Sequence, residues 1–285
     1  MKKIISLLVV VGLLGIFSVR AFADLASANK LDAEGKYSEA RAAYAEVVKA
    51  GGKDATFAQL SIGGCYLAEK NYAQAREEFL KAVSMPDKES AASAQFHIGY
   101  SYDCEGNYDK AREEYLKVVN MSSPRHAAVA QFHIGLCYEV EKNYDKAREE
   151  YLKAVSMSDP KSSAGAQFRI GYCYELEKNY AKAREAYLKT VSMPDPYHSA
   201  AAQFHIGLCY EAEKNYTAAQ EAFVLVIQKS TPITFLKQTF EKLDATIIGK
   251  DAYLGLMNKI LLIIPAKPEN AEFIGQVKSE IEKLK

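Results

Sequence analysis

Gln131-Phe132-His133-Ile134-Gly135 is one copy of a stretch that returns every 36 residues. It recurs as Gln95 to Gly99, as Gln203 to Gly207, and as Gln167 to Gly171 with Arg169 in place of histidine; a looser copy runs from Gln59 to Gly63. The spacing never slips by a residue, so the five copies are equivalent pieces of one architecture. A fixed period of about 20–50 residues is the signature of a solenoid, in which each unit buries its apolar face only against its neighbours.

One unit shows what the period encodes. Ala130, Phe132 to Gly135, Cys137 and Tyr138 place an apolar stripe along 127–140 at helical spacing. Glu141-Lys142-Asn143 is polar, and Asn143 suits the start of a new helix. Tyr144, Ala147, Tyr151, Ala154 and Val155 follow at three- and four-residue steps and predict a second amphipathic helix. Ser158-Asp159-Pro160 stops it. Each unit therefore reads as a helical hairpin. Gly63, Gly99, Gly135, Gly171 and Gly207 fall mid-helix, where glycine costs about 1 kcal/mol against alanine. Keeping it in register predicts a close backbone approach, with Ala75, Ala111, Ala147, Ala183 and Ala219 as facing partners. Phe79, Tyr115, Tyr151, Tyr187 and Phe223 are then expected between units.

Ile134-Gly135, Tyr138, Tyr144, Ala147, Tyr151, Ala154 and Pro160 together resemble the tetratricopeptide repeat, and the same set is read from Ile62, Ile98, Ile170 and Ile206. The resemblance covers about 55–230. It departs in two ways: glutamine stands where the family has its first aromatic, and each unit exceeds the usual length of about 34 residues. The longer form, with Ala-x-x-Gln-Phe-x-Ile-Gly after a proline loop, is similar to repeats of exported bacterial envelope proteins of the Tol–Pal accessory type. The resemblance implies an all-α, right-handed solenoid of helix-turn-helix hairpins with a helical C-terminal cap. It also implies a concave groove lined by the first helices.

The ends carry other signals. Met1-Lys2-Lys3, the apolar run Ile4 to Val19 and the Ala21-Phe22-Ala23 exit have the layout of a signal peptide cleaved before Asp24. An uncleaved anchor is the rival reading, but a spanning helix needs about 20 apolar residues. Residues 24–54 read as a degenerate first hairpin, with Leu31, Tyr37, Ala40, Tyr44 and Val47 but no glycine. After about 230 the period ends. A helix from Thr231-Pro232 through Ile248 is expected, then one from Asp251 through Ile264. A last helix follows Pro268, with a stripe of Phe273, Val277, Ile281 and Leu284. This 231–285 segment reads as the polar-faced cap that solenoids need.

The 36 basic and 36 acidic residues balance, and loss of the leader removes three bases and no acid. No basic face for nucleic acid is implied. Cys65, Cys137, Cys173 and Cys209 share one slot two residues after the glycine, with Ser101 in the remaining copy. Such slots lie at least a helix-packing distance of about 8–10 Å apart, beyond the ~7 Å Cα limit of a disulfide. They read as small buried hydrophobes, and Cys104, outside the slot, as the reactive thiol.

No nucleophile elbow, phosphate loop or metal spacing occurs. His97, His133 and His205 share a slot, but Arg169 interrupts the series and no carboxylate stands three or four residues on, so no metal or cofactor is expected. The candidate partner-binding groove is Phe96, His97 and Tyr100; Phe132, His133 and Leu136; Phe168, Arg169 and Tyr172; and Phe204, His205 and Leu208. The phenylalanines could equally pack between hairpins. Asp103, Glu139, Glu175 and Glu211 precede Lys142, Lys178 and Lys214 at three residues, where carboxylates are expected to make solvated ion pairs. A carboxylate clamp of the family's kind lacks its residues, since only Arg169 is present.

The sequence thus points to an exported, non-catalytic scaffold, periplasmic or secreted, that binds a protein or peptide in its groove and meets the membrane only during export. The alternative is a structural subunit of an envelope assembly packing through the solenoid ends. A hydrolase would require a carboxylate pair or an activated nucleophile, which the repeated surface slots do not provide. Amino-terminal sequencing of the protein from its native host should begin at Asp24; intact Met1 in the membrane fraction overturns the export reading.

Overall fold

The alternation of small-residue stripes and Asn-Tyr starts produces helices in pairs. The computed structural model describes residues 24–157, 160–228, 232–265 and 267–284. The leader at 1–23, the stop at Ser158-Asp159 and the boundary at 229–231 lie outside the described residues. Helices α1 (Leu25–Ala33) and α2 (Tyr37–Ala50) form the first hairpin, α3 (Ala55–Ala68) and α4 (Tyr72–Val83) the second, and α5 (Lys88–Cys104) and α6 (Tyr108–Val119) the third. The series continues with α7 (Pro124–Val140) and α8 (Tyr144–Ser156), α9 (Pro160–Leu176) and α10 (Tyr180–Val191), and α11 (Pro196–Ala212) and α12 (Tyr216–Gln228). Within each hairpin the two helices pack antiparallel, as expected of a helical-hairpin repeat. No strand occurs among the described residues. The chain divides into two compact units, Met1–His126 and Ala127–Lys285.

Every turn inside a hairpin is built alike. In the fourth, the Lys142 amide bonds the Glu139 carbonyl and the Asn143 amide reaches back to Tyr138, both at 2.9 Å. This closes α7 with a left-handed residue at position 142. The Asn143 side chain then accepts from the Lys146 amide and starts α8. The same bonds recur at Asn107, Asn179 and Asn215.

The repeated glycine has a different partner from the one expected. A Cβ on Gly135 would lie 2.5 Å from Tyr151 Cε1, and on Gly171, Gly63 and Gly207 it would meet Tyr187, Phe79 and Phe223 as closely. The close neighbour is the face of the aromatic ring from the same hairpin's second helix, not an alanine or a backbone. Those rings are fully buried, so they occupy the interior of their own hairpin. In the first hairpin, buried Ala28 and Tyr44 share one core.

The glutamine that replaces the family's aromatic is a hydrogen-bonding staple. Gln167 donates to the Ala186 carbonyl and Gln203 to that of Ala222, each at 3.2 Å. Gln59 and Gln95 donate to the carboxylates of Glu78 and Glu114 at 2.7 and 2.6 Å. All are buried. A buried amide so paired ties the two helices without the volume of a tryptophan.

Beyond α12 the chain forms α13 (Ile233–Phe240), the short α14 (Ala245–Ile248), α15 (Lys250–Ile263), a 3-10 turn (Pro268–Asn270) and α16 (Ala271–Leu284). The single helix expected through Ile248 is broken at 241–244. Gln220 of α12 causes the break by holding both the Lys242 carbonyl (2.7 Å) and the Asp244 amide (2.9 Å). Phe273, Val277 and Ile281 of α16 enter one core with Leu236, Met257, Ile260 and Ile227 of α12.

Gly135→Ala should lower stability: overpacking a full core costs about 1–3 kcal/mol, more than the helix-propensity gain of about 1 kcal/mol. Gly135→Val should cost more still. Chemical denaturation of both variants checks the order. Deleting 231–285 strips the cover from Ile227 and Val226, so the truncated protein should keep its helical circular dichroism but associate in sedimentation.

Candidate functional site

The acids read as surface pairs are instead set into the joints between hairpins. In the second unit, Tyr151 donates to Glu139 Oε2 at 2.7 Å, and Arg169 of the next hairpin donates to Oε1 at 2.9 Å. One hairpin on, Tyr187 donates to Glu175 at 2.6 Å, and His205 Nδ1 lies 2.9 Å from the same oxygen. At the last hairpin, Lys242 of the cap bonds both oxygens of Glu211 at 2.8 and 3.1 Å. The Glu139 side chain is only 11% exposed. The Glu139 and Glu175 rungs thus link the acid at the end of one first helix to a residue at the middle of the next, and the Glu211 rung reaches the cap. The lysines three residues later occupy the left-handed turn position, and among the described residues none pairs with these acids.

The first unit shows what happens without the acid. Leu67 stands in the slot of Glu139 and Glu175. The corresponding His97 lies stacked on Phe79, ring centroids 5.4 Å apart, and its Nδ1 is buried with no hydrogen-bond partner among the described residues. Burial, reinforced by His126, pushes its pKa below the usual histidine value. Asp103, half-buried near Tyr115, is pushed up by burial.

A second set of links runs along the turns. Arg148 lies 4.2 Å from the Tyr174 ring centroid and 2.6 Å from Glu177; Arg184 repeats this with Tyr210 and Glu213. In the first unit Arg41 and Arg76 hold Tyr66 and Tyr102 in the same way. These cation–π and ionic contacts consume the glutamates of the turns.

The structure separates the candidate groove residues into three kinds. Phe96, Phe132, Phe168 and Phe204 pack on Tyr115, Tyr151, Tyr187 and Phe223, with centroids 5.2–5.5 Å apart; Phe204 is buried and the other three are half-buried. His97, Arg169 and His205 lie in or beside the rungs, and His133 lies edge-on to Phe132, half-buried. Tyr100 is 38% exposed, beside the Cys104 thiol, while Leu136, Tyr172 and Leu208 are half-buried. Among the described residues, no group of three or more His, Cys, Asp or Glu is placed to hold a metal ion.

Sequence reasoning missed the residue one turn beyond this set. Val140 is 58% and Leu176 41% exposed, at the ends of α7 and α9. With Leu136 and Tyr172 they form an i, i+4, i+8 apolar stripe from Phe132 and Phe168. The signal was present as an apolar residue in the last slot before a polar turn, where amphipathic spacing alone reads it as frayed helix end.

The turn lysines, expected from the sequence to pair with the acids, adopt instead a left-handed backbone. Lys70, Lys142, Lys178 and Lys214 have φ of 60–62°, where Gly35 and Gly106 stand in the other two hairpins at 74°. The left-handed conformation costs a residue with a Cβ about 1–2 kcal/mol. A cation at a helix C-terminus recovers only about 0.3–1 kcal/mol. All four are exposed.

All five cysteines are free; four are buried and Cys104 is exposed. Burial, with a carboxylate nearby, pushes the Cys65, Cys173 and Cys209 thiols up to about 12.

Models of the tetratricopeptide repeat match residues 25–94, 96–163, 166–192 and 201–230. The chain belongs to the tetratricopeptide repeat family. Solved structures carry the same fold at low identity. The C-terminal part of a TPR repeat-containing protein from Cytophaga hutchinsonii is 17% identical, with a TM-score of 0.57, over 88% of this chain and 99% of that one. BtubC (BKLC) from P. vanneervenii is 15% identical, with a TM-score of 0.51, over 72% of this chain and 88% of that one. No curated protein matches the sequence.

Three outcomes follow. Glu139→Ala should cost about 1–3 kcal/mol by stranding Tyr151 and Arg169, against the few tenths expected of a solvated pair; denaturant titration distinguishes them. Native alkylation should label Cys104 alone, and denatured alkylation all five thiols. Because the folded pKa of His97 is depressed, the neutral form is favoured by folding. Its contribution is complete above the unfolded value of about 6.5 and is lost as pH falls below it. Thermal stability should therefore drop between pH 7 and 5, and less so in His97→Phe.

Proposed function

We propose that this tetratricopeptide protein is an exported, non-catalytic scaffold that binds a protein or peptide along the first-helix side of its hairpins. The observation that carries the reading is the apolar stripe of the second unit: Val140 and Leu176 are largely exposed beside Leu136 and Tyr172. Exposed apolar rows of this kind mark interaction sites in soluble proteins. The rungs support it, because Arg169 pairs with Glu139 and His205 hydrogen-bonds Glu175. That leaves an apolar floor free of unpaired carboxylates. The leader-like Lys2 to Ala23 supports export, and the 36-residue repeat form supports an envelope role.

Affinity capture from the protein's own envelope extract, with partners identified, tests the reading. Tyr100→Ser, Arg169→Ser and Tyr172→Ser together should weaken capture, although loss of Arg169 also opens the Glu139 rung. Val140→Ser, Tyr172→Ser and Leu176→Ser leave the rungs intact. Exposed substitutions away from the core shift folding by only about 0.5 kcal/mol each. Full capture by this second variant, folded normally, would move the contact to the outer faces or the ends.

A further inference from the structure

The turn lysines point to the chemistry of the partner. Lys142, Lys178 and Lys214 close the first helices of three successive hairpins in the second unit, in a backbone conformation that glycine adopts freely and lysine does not. Strain kept at equivalent positions while glycine serves elsewhere in the same chain asks for a reason outside folding. The side chains supply no internal one. Among the described residues none of the three makes an ion pair, whereas the glutamates of the last two of these turns are held by arginine: Glu177 by Arg148 and Glu213 by Arg184. The turn edge is therefore basic on a chain with no net charge. It runs two residues beyond Val140 and Leu176, so cationic edge and apolar stripe lie side by side.

We infer that this edge reads carboxylates on an extended, acidic and apolar segment of a protein partner, whose apolar side chains rest on Val140, Tyr172 and Leu176. The inference rests on the first-helix reading above and adds the charge of the ligand. Successive first helices α9 and α11 pack directly, which sets their ends about 8–10 Å apart. A polyproline II segment advances about 3.1 Å per residue with three residues per turn. Carboxylates at every third residue would therefore line one side of such a segment at the spacing of the lysines. Apolar residues at a neighbouring position would line a second side. An anionic membrane surface would also attract lysines, but it has no use for a row registered one per hairpin.

The test is fluorescence anisotropy of the full mature protein with a labelled peptide of repeated Glu-Leu-Ser. Its Gln-Leu-Ser and Glu-Ser-Ser counterparts serve as controls, with phosphatidylglycerol-containing vesicles as the competing surface. The expected result is binding of Glu-Leu-Ser that falls about tenfold in the Lys142→Gly, Lys178→Gly and Lys214→Gly triple variant and weakens with added salt. That variant relieves the backbone, so its melting temperature should stay or rise, and lost binding cannot be blamed on unfolding. Equal binding of Gln-Leu-Ser, no effect of the triple variant, no charge-dependent binding of any peptide, or a preference for the vesicles would each overturn the inference. The two readings fail separately. If Val140→Ser, Tyr172→Ser and Leu176→Ser abolish peptide binding but the lysine variant does not, the apolar stripe stands and the lysine edge falls. If Glu-Ser-Ser binds as well as Glu-Leu-Ser and only the lysine variant matters, the edge stands without the stripe.

Discussion

The contact on which the rest depends is an aromatic ring laid on a glycine. Tyr151 on Gly135, and its equivalents at Tyr187, Phe79 and Phe223, let the two helices of a hairpin approach until no Cβ fits between them. That approach brings the buried glutamines within reach of second-helix carbonyls. It also carries the hydroxyls of Tyr151 and Tyr187 to Glu139 and Glu175. An alanine at the glycine would push the ring outward and lengthen each of these bonds together. Glycine's poor helix propensity is therefore outweighed by several contacts that exist only at the shorter distance.

Once the hairpin is set, the joints between hairpins divide their work between two rows. Arginine on tyrosine along the turns is partly exposed and of modest worth per contact. The rungs are more deeply set, and their members depend on one another. Glu139 would be a desolvated charge without Arg169, and Tyr151 an orphaned hydroxyl without Glu139. His97 shows the consequence of a missing member. With Leu67 in the acid's slot, the ring stacks on Phe79 and burial holds its pKa below the usual histidine value.

The hairpins, their boundaries and the buried glycine, alanine and aromatic slots were legible because amphipathic period and turn chemistry are local. Three things were not. The ring over Gly135 was read as a backbone because spacing shows that something is close but not what. Glu139 was assigned to Lys142 by the three-residue helical rule, yet Lys142 has already left the helix, and the true partner lies 30 residues away. The break at 241–244 depends on Gln220, more than twenty residues upstream. Each miss involves a side chain choosing a distant partner over a near one. Of the groove set, Phe204 is buried, Phe96, Phe132 and Phe168 are half-buried against second-helix rings, and the exposed Val140 and Leu176 lie one turn beyond it.

The copies themselves carry a last argument. On the second helices some exposed slots repeat and others do not: Leu80, Leu116, Leu152 and Leu188 are identical and lysine follows each, while Ala73, Asp109, Asp145, Ala181 and Thr217 vary. On the first helices the interior slots are fixed too, as glycine and isoleucine. The variation falls on one face of those helices. Tyr100, Leu136, Tyr172 and Leu208 alternate, Cys104, Val140, Leu176 and Ala212 all differ, and Arg169 replaces histidine once. A first-helix face that varies beside fixed glycine and isoleucine slots fits the reading proposed above, in which a heterogeneous segment runs across a row of near-identical supports.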